Sequence, residues 1–71
     1  MTSDWAPLER VLGPKLCEFF MFMGRSGELY LYKHIDTRRY LNLDGEGKCF
    51  RHTGHEYVPE ELRRAITHAF S

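Results

Sequence analysis

Two strand-forming runs joined by a glycine-bounded tetrapeptide constrain this chain more than any other feature. Cys17-Glu18-Phe19-Phe20-Met21-Phe22-Met23 is apolar on both parities, and Gly24-Arg25-Ser26-Gly27 supplies turn chemistry. Glu28-Leu29-Tyr30-Leu31-Tyr32-Lys33-His34 then continues with Leu and Tyr on opposite faces of an extended chain. Together they predict a β-hairpin. Either Phe19 and Met21 or Phe20 and Phe22 face the core in its first strand, because both parities are equally apolar.

The pattern of short runs and turns continues. Asp36-Thr37 marks a second turn, Arg39-Tyr40-Leu41-Asn42-Leu43 a third strand, Asp44-Gly45-Glu46-Gly47 a third turn and Lys48-Cys49-Phe50-Arg51-His52 a fourth strand. After Thr53-Gly54, the run His55-Glu56-Tyr57-Val58 adds a short fifth segment. An antiparallel meander is the simplest threading of these pieces.

Helical signals lie at both ends. Thr2, Ser3 and Asp4 offer side-chain oxygens to orphan amides, Pro7 falls in the first turn, and Leu8, Val11 and Leu12 recur at helical spacing until Gly13-Pro14. A short helix over residues 4–12 follows. At the other end Pro59 suits a first helical position and Glu60 and Glu61 suit the positive end of the helix dipole. Leu62, Ala65, Ile66, Ala69 and Phe70 form a stripe at helical spacing, which predicts a helix over residues 59–70. The fold class expected is α+β: a short N-terminal helix, an antiparallel meander of about four strands and a C-terminal helix packed on one sheet face.

With 71 residues the chain is expected to form a single compact domain, residues 1–71. It buries only about 60% of its extended surface, so a partner is a plausible source of further stability. The longest apolar run, Phe19-Phe20-Met21-Phe22-Met23, is far shorter than the roughly 20 residues that cross a bilayer. No basic start leads into an apolar stretch with a cleavage site, so the expectation is a cytoplasmic protein with no membrane partner. Two cysteines, Cys17 and Cys49, are too few for a disulfide framework and read as small buried residues.

On the second strand Leu29 and Leu31 share one face, and Tyr30, Tyr32 and His34 the other; on the third, Leu41 and Leu43 separate likewise from Tyr40 and Asn42. If the leucine face receives the C-terminal helix, the opposite face displays Tyr30, Tyr32, His34, Arg38, Tyr40 and Asn42. An aromatic face bearing Arg is the composition of binding hot spots. The competing arrangement has the N-terminal helix, with Trp5, Leu8 and Leu12, covering that face from within the same chain.

The function expected is therefore a small non-enzymatic binding or regulatory protein that presents this face to a protein partner or to a second copy of itself as a homodimer. The alternative is a single-stranded nucleic-acid-binding module using the same Tyr and Arg face, with Lys33, Arg38, Arg39 and Arg51 on the phosphates. Ten Lys plus Arg against ten Asp plus Glu leave no net charge, which disfavours that alternative because phosphate affinity comes from uncompensated cations. No metal site and no cofactor are expected. Cys49, His52 and His55 recur every third residue, but such residues point to opposite faces of a strand. Catalysis is not expected either, since Cys17 or Cys49 with one of His34, His52, His55 or His68 is the only nucleophile and base to pair, with no orienting third group.

Overall fold

The computed structural model describes residues 3–71; the N-capping expectation at Thr2 lies outside them. Its first helix, α1 (Ala6–Leu12), carries Pro7 in the first turn and stops at Gly13, whose φ of 86° no residue with a Cβ adopts cheaply. Neither Ser3 nor Asp4 is the N-cap. That position falls to Trp5, while Ser3 Oγ accepts the Trp5 amide one residue earlier at 3.1 Å. A single 3₁₀ turn, Leu16–Phe19, then leads into the sheet, where the sequence predicts the start of a strand.

Five strands follow: β1 (Phe20–Ser26), β2 (Leu29–His34), β3 (Tyr40–Leu43), β4 (Cys49–His52) and β5 (Tyr57–Glu60). They form one antiparallel meander in sequence order, so the α+β fold and the meander stand, with one strand more than the four expected. The hairpin turn differs from the sequence reading. Gly24, Arg25 and Ser26 belong to β1, and the chain reverses at Gly27-Glu28. The extra residue is absorbed by a bulge at Met23, where the register steps from Phe22 opposite Tyr32 to Gly24 opposite Leu31. The parity left open for β1 resolves in favour of Phe20, which is buried, and Phe22, which packs against the core.

The side chains of Asp44 and Thr53 close the later turns. Asp44 Oδ1 accepts the amides of Glu46 and Lys48, both at 2.9 Å, and Thr53 Oγ1 accepts those of His55 and Glu56. The second helix, α2 (Leu62–Phe70), starts three residues later than expected. Pro59 and Glu60 are claimed by β5, opposite Phe50 and Cys49; on an edge strand the amide that Pro59 lacks is not needed.

Both helices lie over the same face of the sheet. Leu8 of α1 and Ala65 and Ala69 of α2 share one core with Phe20, Tyr30, Tyr32, Leu41, Leu43 and Cys49. Trp5 packs its ring on Phe22 and Tyr32, and Phe70 sets its ring edge-on against Phe20 and His34. Of the expected α2 stripe only the two alanines are buried; Leu62 and Phe70 keep more than a third of their surface exposed. The molecule is 19 Å across in its thinnest direction, room for one sheet and one layer of helices. No helix among the described residues is long and apolar enough to cross a membrane.

The leucine face proposed from the sequence does not exist as a unit. Tyr32 stands opposite Leu41 and Tyr30 opposite Leu43, whereas Leu31 stands opposite Asn42. The five residues between β2 and β3 set this register, so the leucines of β3 join the tyrosines of β2 beneath the helices and Leu29 and Leu31 turn to the other side.

Candidate functional site

The six residues singled out from the sequence separate accordingly. Tyr30, Tyr32 and His34 are core: all are buried, Tyr32 completely. Tyr32 Oη donates to the Asp4 carbonyl at 2.7 Å, and burial pushes its phenol well above the usual range. Arg25 lies over the Tyr30 ring, its guanidinium carbon 4.4 Å from the centroid. His34 Nδ1 accepts the amides of Asp36 and Thr37 at 3.1 and 3.2 Å, which places the proton of the neutral ring on Nε2. Of the two helices that cover these residues, α1 is the one that sequence reasoning offered as the competing arrangement. Arg38 is exposed in the turn before β3 with a φ of 65°. Only Tyr40 and Asn42 occupy the face that no helix covers.

That helix-free face can be assembled from the register. Met21, Lys33 and Tyr40 form one row, Leu31, Asn42, Phe50 and Pro59 the next, and His52 stands opposite Tyr57 at the far edge. Tyr40 is 45% exposed, with the Lys33 ammonium 5.8 Å from its ring centroid. Leu29, Leu31, Phe50 and Tyr57 are partly exposed. A sheet surface carrying this much aromatic and aliphatic area in place of an alternating polar coat has the composition of a contact surface.

Between β3 and β4 the ladder holds for only two residue pairs, Asn42 with Phe50 and Leu43 with Cys49, and the strands then part. A cleft of about 690 Å³ occupies the fork. Leu31, Tyr40, Asn42, Phe50, His52 and Tyr57 line it from the open face, while Arg51, Glu60, Arg64 and His68 belong to the helix side. Arg51 Nε and Glu60 Oε2 are 3.9 Å apart, and Arg39 Nη1 reaches His68 Nε2 at 3.3 Å. Asn42 is only 5% exposed; its Nδ2 donates to the Phe50 carbonyl at 3.3 Å, and its buried Oδ1 accepts no hydrogen bond from the described residues. Phe50, Tyr57 and Arg64 were not singled out as a site from the sequence, and His68 was named there only among the possible bases for a cysteine nucleophile. The signal available was parity: once Asn42 is placed on the open face, Phe50 and His52 follow it across the ladder.

The cysteines and histidines are dispersed. Cys49 faces the helices, His52 faces the open side, and no three His, Cys, Asp or Glu side chains among the described residues gather closely enough to hold a metal ion. Cys17 Sγ donates to the Gly13 carbonyl at 3.4 Å, and burial, with Glu9 adding to it, pushes its thiol above the ordinary value. The Cys49 thiol is pushed up to about 11, chiefly by burial and secondarily by Glu60 and Asp44. Both stay protonated at neutral pH, the unreactive form of a thiol. No protein family, characterised protein or solved structure matches this chain.

Proposed function

We propose that this chain is a non-enzymatic binding or regulatory protein that presents the helix-free face of its sheet to a protein partner or to a second copy of itself. The single observation that carries this reading is the placement of both helices on one side. Met21, Leu31, Tyr40, Phe50 and Tyr57 are left on the face over which neither α1 nor α2 lies, Tyr40 exposed and the other four partly so. The residues that meet the partner are thus those opposite the Tyr30, Tyr32 and His34 set first expected, with Tyr40 and Asn42 common to both. Supporting the non-enzymatic part, each cysteine is buried with its thiol pushed up, and neither is hydrogen-bonded to a histidine among the described residues.

Edge pairing is the less suitable route to a partner, because Pro59 interrupts the donors of β5 and the Met23 bulge interrupts β1. The face itself remains. A photo-crosslinking residue placed at Tyr40 should give one discrete product, while the same residue at Arg63, on the exposed side of α2, should give none. Sedimentation equilibrium of the purified protein then assigns the partner: a dimer that Tyr40→Glu dissociates is a second copy, and a monomer implies a foreign protein. Equal products from both positions, or none from either, would sink the proposal.

A further inference from the structure

From the reading of the helix-free face as a contact surface, on which this step rests, we infer that its occupant is a second copy of this chain. The two sheets pack face to face about a two-fold axis, and Tyr40 of each copy enters the fork between β3 and β4 of the other. Charge favours this partner. The chain carries ten Lys and Arg and ten Asp and Glu, yet of these only Lys33, among the described residues, stands at a ladder position of the open face. Arg25, Arg51 and Glu60 stand opposite Tyr30, Val58 and Cys49 on the helix side. A foreign protein is steered and selected by a pattern of charges, which this face lacks. A two-fold interface sets a surface against its own copy, where like charges repel and an uncharged apolar surface is self-complementary.

The area of the face agrees. The molecule measures 31 × 30 Å in its two long directions against 19 Å through the sheet and helices, so the face offers about 700 Å² in projection, near the ~800 Å² per partner of a stable association. Shape decides how the copies meet. A flat surface laid on this face would leave the cleft of about 690 Å³ empty, and the packed core of an interface holds few such voids. The side chain that fills it must rise above the sheet. Tyr40 is 45% exposed, whereas Phe50 and Tyr57 are partly buried, and it stands on the rim of the same cleft that it would fill in the other copy. One strand thus carries both the knob and one wall of the hole, which is the reciprocity a two-fold axis requires. Twisted sheets packed in this way lie roughly 10 Å apart, with strand directions within about 30° of each other.

Sedimentation equilibrium of the intact chain, from micromolar to millimolar concentration, should give a dimer with a micromolar or tighter Kd. Tyr40→Glu, with its fold checked by amide dispersion, should weaken that dimer about 100-fold, the loss of a central anchor. Leu62→Gln, on the exposed apolar flank of α2, should leave it unchanged. In an equal mixture of isotope-labelled and unlabelled parent chains, filtered NOEs should join Tyr40 of one copy to Phe50, His52 and Tyr57 of the other, a measurement that needs no substitution. A dimer that Tyr40→Glu leaves intact, or whose filtered NOEs fall on Leu62 and Phe70, would overturn the inference and move the interface to α2. A chain that stays monomeric at millimolar concentration would overturn it as well. The reading of the face is judged separately: a monomer that still crosslinks through position 40 to a foreign protein in cells keeps that reading while the second copy is ruled out, and a monomer that crosslinks to nothing loses both.

Discussion

The hydroxyl of Tyr32 donates to the backbone carbonyl of Asp4 at 2.7 Å, joining the centre of the sheet to the residues that precede α1, 28 positions away in sequence. The bond makes an edge of the core out of a side chain that reads, from sequence alone, as part of a surface. Tyr32→Phe removes the bond and keeps the ring, so a loss of about 1 kcal/mol is expected in urea denaturation. Tyr32→Glu places a charge where no surface remains and should leave the chain unfolded, with its amide dispersion collapsed. A folded Tyr32→Glu variant would show that the helices do not seal this face.

What the sequence disclosed and what it withheld divide along a physical line. The strands were legible because alternation and turn residues are local: Asp44 and Thr53 announce turns that their own side chains then close. The pairing of faces was not, because it depends on whether the loop between His34 and Tyr40 holds an odd or even number of residues, and nothing in Ile35-Asp36-Thr37-Arg38-Arg39 signals where pairing resumes. One residue of slip exchanges Tyr30 and Tyr32 for Leu29 and Leu31 as the buried set. Gly24 misled in a different way, since a bulge and a turn call for the same residue, and Pro59 suits both an edge strand and a helix start. The cleft was out of reach for the same reason, being made where a ladder fails.

Arg38 tests whether a residue first considered for partner binding is instead a conformational compromise. Its φ of 65° is the left-handed region, and its amide donates to the His34 carbonyl at 2.9 Å to close the turn. A side chain there costs on the order of 1 kcal/mol that glycine does not incur. Arg38→Gly should therefore raise stability by about 0.5 kcal/mol after the added flexibility of the unfolded chain is subtracted. A clear loss of stability would mean that the arginine side chain contributes contacts that outweigh the strain.

Two glycines of one turn should respond oppositely to the same change. Gly47 has a φ of 90°, and a Cβ there would come within 3.2 Å of Val11 Cγ2. Gly45 has open space around its Cβ position and no left-handed φ. Gly47→Ala is expected to cost about 1 to 2 kcal/mol, combining backbone strain with displacement of α1, whereas Gly45→Ala should be neutral or gain a few tenths. The Arg10 side chain donates to the Gly45 carbonyl at 3.2 Å, a bond that alanine preserves. Equal melting shifts for the two variants would contradict the close approach of α1 to this turn.

Cys49 predicts how stability depends on alkaline pH. In the folded chain its thiol is pushed up to about 11, against an ordinary value of 9.0, because it is buried between β3 and β5 with Glu60 and Asp44 disfavouring the thiolate. Between these values the unfolded chain has lost the proton and the folded chain still holds it, so the folded state binds more protons and stability falls as pH rises. The contribution is complete below pH 9 and disappears through the upper value; at about 1.4 kcal/mol per pH unit it amounts to roughly 2 to 3 kcal/mol. Cys17 and Tyr32 are raised as well and act in the same direction, so the Cys49 share is read as a difference. Urea denaturation at intervals from pH 7 to 11 should give a steeper decline for the parent chain than for Cys49→Ala, even though the variant starts lower for want of the sulfur in the core. Alkylation gives the independent reading: a thiol held neutral and buried reacts with iodoacetamide only as fast as the chain opens, and adding urea should accelerate it. Parallel pH profiles for the parent and the variant would mean that Cys49 ionises as freely in the folded chain as in the unfolded one.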